Sequence, residues 1–228
     1  MTAALKTLLF IFCLASLTQA CGQKRVLFRG DFSKPLSDEE WVVECGPGDS
    51  NRVKTQNGIL TIDTKDGVTI WVRKKLEGNF EIEYTREVKV DGGPNDRLSD
   101  LNQFWLAGTR DDSPFFVQRS GRFDEYDRLR LYYVGMGGHD NTKTRFRRYD
   151  GKGGKPIIKE FSDKKHLLQA NKPYNIRIVV RDGTSSFYVD DELYFSFRDP
   201  EAFKEGYFGF RSIDSRQTIT EFVVYADP

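Results

Sequence analysis

Short segments in which apolar and polar residues alternate, separated by turn signals, run through most of the sequence and restrict its fold. In YNIRIVVR, at 174–181, every second residue is apolar, and Asp182-Gly183 follows as a turn signal. NFEIEYTREVKV, at 79–90, alternates similarly, and Asn57-Gly58 suits the positive φ angles of a tight hairpin. About a dozen short strands are predicted, and no long stretch has a helical period. The pattern therefore predicts an all-β, single-domain sandwich of antiparallel strands.

Composition agrees with a sheet protein and excludes one class of partner. The chain has 228 residues, including 18 Phe and 10 Tyr, and aromatic residues favour strands. Its formal net charge is only +1, whereas general nucleic-acid binding needs a clear basic excess. Without a leader about 208 residues remain, which is typical of one β-sandwich.

The N-terminus has the features of an export signal. Lys6 precedes the apolar run Leu8–Leu17, which is too short to span a bilayer as a stable anchor. Small residues precede Cys21, and a cysteine at the first mature position resembles a bacterial lipoprotein signal, although Thr18 stands where leucine is usual. We therefore predict that Cys21 is lipidated and that the protein reaches the membrane through this anchor alone.

This reading predicts a leader at 1–20, a short tether at 22–25 and the sandwich domain at 26–228. The expected location is the outer membrane, at the cell surface or on its periplasmic face. The alternative is a plain secretory leader, in which case a Cys21–Cys45 disulfide becomes feasible.

Arginine, tyrosine and glycine concentrate between Arg119 and Tyr149. We interpret this stretch as two strands joined by the glycine-rich turn MGGHDNTK. The faces that we assign to the site carry, in chain order, Arg128, Arg130 and Tyr132, then Arg145, Arg147 and Tyr149. Guanidinium forks suit carboxylate or sulfate, and phenols offer a flat ring and a hydroxyl, so we predict a site for an acidic sugar. The alternative is a solvated face paired with neighbouring carboxylates.

Other side chains are candidates for the same site. Trp105 could stack on a sugar ring or belong to the core. Asn102 and Gln103 could contact a ligand or be satisfied buried amides. Arg211 lies on the polar side of its strand and is expected to reach the same face.

The sequence also resembles known proteins. The strand order, and the closing segments YNIRIVVRDGTSSFYVDDELYFSF and GYFGFRSIDSRQTITEFVVYA, resemble the concanavalin-A-like jelly roll over about residues 26–227. DRLSDLNQFWLAG and RSGRFDEYDRLRLYYVGMGGHDNTKTRFRRYDG resemble an uncharacterised family of secreted or lipid-anchored bacterial jelly rolls. Members of that family are found with polysaccharide-utilisation systems, including those for pectin-type rhamnogalacturonan.

The resemblance implies a glycan ligand, and we expect a poly- or oligosaccharide partner. We also expect a monomeric protein and no cofactor, with a structural calcium ion as the one alternative. Such an ion is often shared by the terminal strands of these folds, where Asp31 and Asp227 would be its ligands.

Three activities remain open at this point. The E-x-D-x-x-E strand of laminarinase-type glycosidases is absent, which disfavours retaining hydrolysis. A lyase would neutralise a uronate with arginine and move the proton with Tyr132, His139 or Tyr149, although the Q-x-H and Y-x-K-x-G-x-Y-x-Q signatures of alginate lyases are absent. We take the lyase as the leading hypothesis. The alternatives are a non-catalytic glycan-binding lipoprotein and a hydrolase of modified glycosides.

Overall fold

The computed structural model describes residues 24–46, 52–111 and 113–227, and nearly all of its regular structure is β. Within these residues the strands are β1 (Val26–Arg29), β2 (Trp41–Cys45), β3 (Val53–Gln56), β4 (Ile59–Thr64), β5 (Val68–Val72), β6 (Leu76–Glu77), β7 (Phe80–Lys89), β8 (Leu101–Gly108), β9 (Arg130–Gly137), β10 (Lys143–Asp150), β11 (Ile157–Phe161), β12 (Pro173–Arg181), β13 (Thr184–Val189), β14 (Glu192–Arg198), β15 (Glu205–Ser212) and β16 (Ser215–Ala226). The helical segments are α1 (Gly138–Asn141) and two 3-10 turns, Phe123–Tyr126 and Lys164–His166.

The strands form two antiparallel sheets that face each other. The front sheet has the order β11-β10-β9-β8-β15-β5-β2, with β6 beside β15. The back sheet has the order β14-β13-β12-β7-β16-β4-β3, with β1 beside β16. Neighbours such as β7 and β16 are far apart in sequence, so the sandwich is closed by non-local pairing, as in a jelly roll. The predicted all-β sandwich of antiparallel strands is confirmed.

The main core lies between the sheets and follows the predicted alternation. On β7, Phe80, Ile82 and Tyr84 point inward and are buried. The next inward position is Arg86, which is fully buried although it is charged. Its guanidinium donates to Gln217 Oε1 at 2.8 Å and to two carbonyls of the front sheet, on β8 at 2.6 Å and on β15 at 2.8 Å. Burial lowers the pKa of Arg86 to about 10.

A second apolar cluster covers part of the outer face of the front sheet. Trp71 on β5 and Phe104 on β8 point outward, yet neither is exposed, because the segment 114–129 crosses over them. Their ring centroids are 5.5 Å apart, and Phe115 and Tyr126 from the segment pack on them at 5.0 Å and 5.3 Å. We call residues 114–129 the cover segment. It leaves the outer face open over β9 and β10 and beside Arg211 on β15.

One buried carboxylate fixes the cover segment to the sheet. Glu44 on β2 is 2% exposed and accepts hydrogen bonds from Arg119 Nη1 at 2.6 Å and from the Tyr126 hydroxyl at 2.8 Å. Because both donors belong to the cover segment, the acid of an edge strand determines where this irregular stretch lies.

The turns follow the sequence signals. Asn57 and Gly58 have φ angles of 53° and 79°, as the predicted hairpin requires. In α1, which is the predicted glycine-rich turn, His139, Asp140 and Asn141 all have left-handed φ angles between 53° and 57°.

Several predictions fall on the N-terminus or on metal binding. The leader at 1–20, Cys21 and the first two residues of the tether at 22–25 lie outside the described residues, and no described helix is long and apolar enough to cross a membrane. Asp227 pairs with Arg181, and Asp31 accepts hydrogen bonds from Ser33. The described residues contain no group of three or more His, Cys, Asp or Glu side chains that could hold a metal. The structural calcium ion stays a prediction.

Candidate functional site

The open part of the front sheet contains two adjoining cavities, which we call the cleft. One cavity, of about 320 Å³, lies over β9 and β10 and is lined by Arg145, Arg147 and Tyr149 among others. The other, of about 660 Å³, lies over β15 and the cover segment and is lined by Arg211 among others. Phe123 of the cover segment lines both cavities, so its ring divides the cleft. These volumes are in the range of small-ligand sites.

Strand pairing explains why the polar side chains of the cleft meet. Arg145 on β10 lies opposite Gly135 on β9, Gly135 lies opposite Asn102 on β8, and Asn102 lies opposite Arg211 on β15. Residues directly opposite each other on antiparallel strands share a face, so these four form one row across the outer face. The next row begins with Arg147 opposite Tyr133. The predicted gathering of Asn102, Arg145, Arg147 and Arg211 on one face is therefore observed.

Gly135 makes room for a phenol in the middle of the row. A Cβ atom at Gly135 would lie 2.1 Å from the Tyr133 hydroxyl oxygen and 2.6 Å from Asn102 Oδ1. Because Gly135 has no side chain, the Tyr133 ring lies over it, and the Tyr133 hydroxyl donates to Asn102 Oδ1 at 2.7 Å. Burial raises the pKa of Tyr133 well above its ordinary value, with a further contribution from Asp100.

The cations of the cleft fall into two groups. Arg145 pairs with Glu160, and Arg97 pairs with Asp100 at 2.8 Å. In contrast, Arg147 and Arg211 have no carboxylate partner among the described residues. Arg147 donates to the Lys155 carbonyl at 2.6 Å, and a carbonyl offers no formal charge. The cleft therefore has an uncompensated positive charge on each side of Phe123.

Arg211 is the more buried of these two cations. Its side chain is 2% exposed, its Nε donor has no partner, and Nη2 has one long contact of 3.4 Å to the Gly121 carbonyl. The guanidinium carbon lies 4.4 Å from the centre of the Phe123 ring. Burial lowers the pKa of Arg211, as expected for a cation removed from water.

Two of the proposed proton-transfer groups also line the cleft. The Tyr149 hydroxyl is buried without a hydrogen-bond partner among the described atoms, and its pKa is raised by burial and by the neighbouring Tyr133 and Asp127. His139 is exposed on α1, and its Nε2 lies 2.6 Å from Arg145 Nη1. Arg145 can only donate, so Nε2 is the acceptor and the proton of the neutral ring is on Nδ1.

Three predicted site residues lie inside the sandwich instead of in the cleft. The Tyr132 hydroxyl donates to Asp199 Oδ2 at 2.6 Å on the inner side of the front sheet. Trp105 stacks with inner aromatic rings and donates to Ser185 Oγ at 3.1 Å, so it is core. Gln103 is likewise a satisfied buried amide, bonded to the Val134 carbonyl at 2.7 Å. Alternation along β9 is the reason, since Tyr133 lies on the same face as Arg145 and Arg147 and Tyr132 lies on the opposite face.

Two predicted arginines lie away from the cleft. Arg128 is exposed and precedes β9, so it does not belong to the face that we assigned to it. Arg130 lines a different cavity with Lys75 and Glu205, and its guanidinium lies 5.7 Å from the Phe203 ring. Of the arginine cluster expected from the sequence, Arg145 and Arg147 therefore line the cleft, whereas Arg128 and Arg130 do not.

The sequence analysis missed Phe123, Tyr133 and Lys155 as cleft residues. Phe123 lies in a 3-10 turn and Lys155 in a loop, where no strand periodicity indicates a face. Tyr133 could have been found by pairing the two strands before assigning faces, because its opposite neighbour, Arg147, was already a candidate.

Comparison with known proteins places the chain in a family. Residues 62–222, more than half of the chain, match the family model described as "Domain of unknown function (DUF6250)". The chain belongs to the DUF6250 family. No similar protein was found among proteins with curated descriptions.

Solved structures show the same fold. A Bacillus subtilis protein of unknown function with a galectin-like fold superposes with a TM-score of 0.71 at 13% identity, covering 90% of this chain and 97% of that one. The carbohydrate binding module CBM66 from Bacillus subtilis gives 0.57 at 15% identity, with 82% and 96% covered. A laminarinase from Flavobacterium sp. UMI-01 gives 0.59 at 13% identity, with 89% and 100% covered. At such identities the likeness shows the jelly-roll fold and not an activity.

Proposed function

We propose that this DUF6250 protein binds an acidic saccharide in the cleft. The observation that carries the proposal is that Arg147 and Arg211 face the cleft without a carboxylate partner, while Arg97 and Arg145 have one. A buried or half-buried guanidinium without a counter-ion is costly, and a ligand carboxylate or sulfate would provide that counter-ion. Phe123 and Tyr133 add aromatic surface of the kind on which sugar rings stack.

The cover segment sets the expected form of the ligand. Trp71 and Phe104 are buried under Phe115 and Tyr126, and Thr69, which follows Arg211 in the row, is also buried, so no open groove continues across the front sheet beyond Arg211. A long polysaccharide cannot lie across this face, whereas a short oligosaccharide or the end of a chain fits. The proposed ligand class is therefore an acidic oligosaccharide or an acidic chain end.

Titration calorimetry with oligogalacturonates and their carboxyl-reduced counterparts tests this function. We expect the wild type to prefer the acidic form and Arg147→Met to lose most of that preference. Arg177→Met is the matched control, because Arg177 is half-buried on the outer face of the back sheet, 4.0 Å from the Tyr188 ring. Equal affinity of the wild type for both forms would contradict the proposal.

A second candidate is a lyase that cleaves such a saccharide by β-elimination. The observation that favours it is the unpartnered Tyr149 hydroxyl in the same cavity as His139, whose Nε2 accepts from Arg145. Arginine would neutralise the uronate, and Tyr149 or His139 would move the proton. The raised pKa of Tyr149 opposes its ionisation without ligand, which is why binding comes first in our proposal.

Absorbance of unsaturated chain ends, recorded on a panel of uronate-containing polysaccharides, tests the lyase. Product that forms with the wild type and disappears in both Tyr149→Phe and His139→Ala would establish it. Binding without product, checked by mass spectrometry, would leave the non-catalytic function. We keep the hydrolase as no more than an alternative, because Asp100 and Glu160 near the cleft are both held by cations.

We also propose the cellular setting from the sequence. The features of the leader and Cys21 support an exported, lipid-anchored protein, and the family resemblance supports a place in polysaccharide utilisation. Labelling of cells with a fatty-acid analogue checks the anchor, since Cys21→Ser should abolish incorporation and Cys45→Ser should not.

A further inference from the structure

Arg211, at the floor of the larger cavity, is a buried cation, and its removal from water without a counter-ion lowers the stability of the fold. Arg211 and Arg86 are both almost completely buried, and neither has a carboxylate partner among the described residues. Arg86 Nη2 donates to the Arg211 carbonyl at 2.8 Å, so the two guanidinium groups are on opposite sides of β15. Arg86 has three hydrogen bonds to neutral acceptors. Arg211 has only its 3.4 Å contact, so it is the one whose donors remain available.

Two glycines bring backbone close to the Arg211 guanidinium. A Cβ atom at Gly67 would lie 3.2 Å from Arg211 Nη2 and 2.1 Å from the Gly121 carbonyl oxygen. A Cβ atom at Gly121 would lie 2.2 Å from the Gly67 carbonyl oxygen. The two loops therefore meet beside Arg211 only because neither has a side chain there, and Phe123 covers the remaining face of the guanidinium.

The carboxylates on the rim of this cavity do not supply the missing charge. Asp66 pairs with Arg52 at 3.0 Å and is 72% exposed, and Asp124 pairs with Arg122 at 2.7 Å and is 62% exposed. Both are more strongly solvated than the recessed guanidinium and already have a cation beside them.

We propose that Arg211 is a recessed subsite for the carboxylate of one acidic sugar unit, which enters beside Phe123. Nη1 and Nη2 form one edge of the guanidinium, and this edge matches the two oxygens of a carboxylate. Sulfate can accept hydrogen bonds from the same two donors, but it has no sugar ring to pack beside Phe123. The subsite rests on the proposed function and adds to it, because it identifies Arg211 as the residue that binds the carboxylate of the saccharide.

A cycle with two proteins and two ligands tests the subsite. Wild type and Arg211→Met are each titrated with an oligogalacturonate and with its carboxyl-reduced form. If Arg211 binds the carboxylate, the substitution weakens the acidic ligand about tenfold to hundredfold and leaves the reduced ligand unchanged. An equal loss for both ligands, with the wild-type preference for the acid intact, overturns the subsite alone. If the wild type has no preference, the proposed function fails, and the subsite fails with it.

Thermal unfolding separates a binding role from a structural one. A subsite residue is held at a cost to stability, so Arg211→Met should melt at or above the wild-type temperature. Galacturonate at constant ionic strength should raise the melting temperature of the wild type but not of the variant, and by more than sulfate does. A marked fall in the melting temperature of Arg211→Met, without any galacturonate shift in the wild type, would identify Arg211 as structural. If Arg211→Met does not fold, Arg211→Lys replaces it in the cycle. Lysine keeps the positive charge but lacks the paired N–H donors of the guanidinium.

Discussion

At the scale of single residues, the absent side chain of Gly135 determines the shape of the cleft floor. Gly135→Ala would place a Cβ atom 2.1 Å from the Tyr133 hydroxyl oxygen, so the phenol must leave Asn102. We expect the free energy of unfolding to fall by about 1–3 kcal/mol from overpacking and the lost hydrogen bond. Urea unfolding measures the change, and saccharide affinity should fall with it.

Gly138→Ala is the control for that substitution. It also adds a Cβ atom beside the cleft, but the nearest atom would be Asp100 Oδ1 at 3.6 Å, which is ordinary contact. A Gly135→Ala protein as stable as the Gly138→Ala protein would show that the phenol can move at little cost.

The alternation of side chains between the two faces of a strand also explains which part of the site could be predicted from the sequence. Arg145, Arg147 and Tyr149 were placed on one face correctly, because alternation along a single strand determines which residues share a face. Tyr132 was chosen instead of Tyr133 because alternation alone does not determine how two strands face each other. The pairing of Arg147 with Tyr133 depends on register, which is fixed by contacts across the whole sheet.

At the scale of elements, the cover segment depends on Glu44. Glu44→Gln would leave Arg119, whose side chain is 8% exposed, without its carboxylate. Removing one partner of a buried ion pair is strongly destabilising, so we expect a loss of about 3 kcal/mol in the free energy of unfolding. Glu205→Gln breaks an exposed pair with Lys75 and should cost less than about 1 kcal/mol. Similar values for the two variants, from urea unfolding, would contradict an anchoring role for Glu44.

A second element, the loop that joins β7 to β8, should make stability depend on acid. The pKa of Asp96 lies far below its ordinary value, because Arg216 donates to the carboxylate and the backbone N–H groups of Asp91 and Gly93 add to this. A carboxyl with a lowered folded pKa contributes stability above its unfolded pKa, near 3.8, and this stability is lost as pH falls towards the folded pKa.

Asp96→Asn should therefore remove a defined part of the pH profile. We expect the wild type to lose stability between about pH 4 and about pH 2, and the variant to show a flatter profile there. At neutral pH the variant should be weaker by about 1.5–3 kcal/mol, since it loses charge-assisted hydrogen bonds. Asp38→Asn, in an exposed loop, is the control and should keep the wild-type slope. Parallel slopes for wild type and Asp96→Asn would assign the acid sensitivity to other carboxyls.

At the scale of the whole molecule, the sequence predicted the sandwich well and the cleft only in part. Strands such as β11 and β12 are local patterns bounded by turn residues, so they can be recognised without the rest of the chain. The cover segment cannot, because its placement depends on Glu44 and Trp71, which are distant in sequence. Arg86 is a similar case, since the fold places a charge at a core position that alternation alone assigns to an apolar residue.

Because the cover segment closes part of the front sheet, we expect the protein to bind its polymer at the chain ends. If the open part of the front sheet ends at Arg211, where the next residue across the sheet is buried, the cleft takes an acidic chain end and not the interior of a chain. Partial hydrolysis of one polygalacturonate gives samples of equal mass but different numbers of ends. Binding capacity per mass should then rise in proportion to the number of ends, while the affinity per chain stays constant.

A groove that accepts internal units would behave differently, with a constant capacity per mass and an affinity that grows with chain length. A bulky label on the reducing end provides the control, because it blocks one type of end and leaves the interior unchanged. Loss of binding on labelling would identify the reducing end as the one that enters, and retained binding would identify the other end. Glu44→Gln connects this test to the fold. If loosening the cover segment opens the sheet, this variant should gain capacity for long chains that the wild type binds only at their ends.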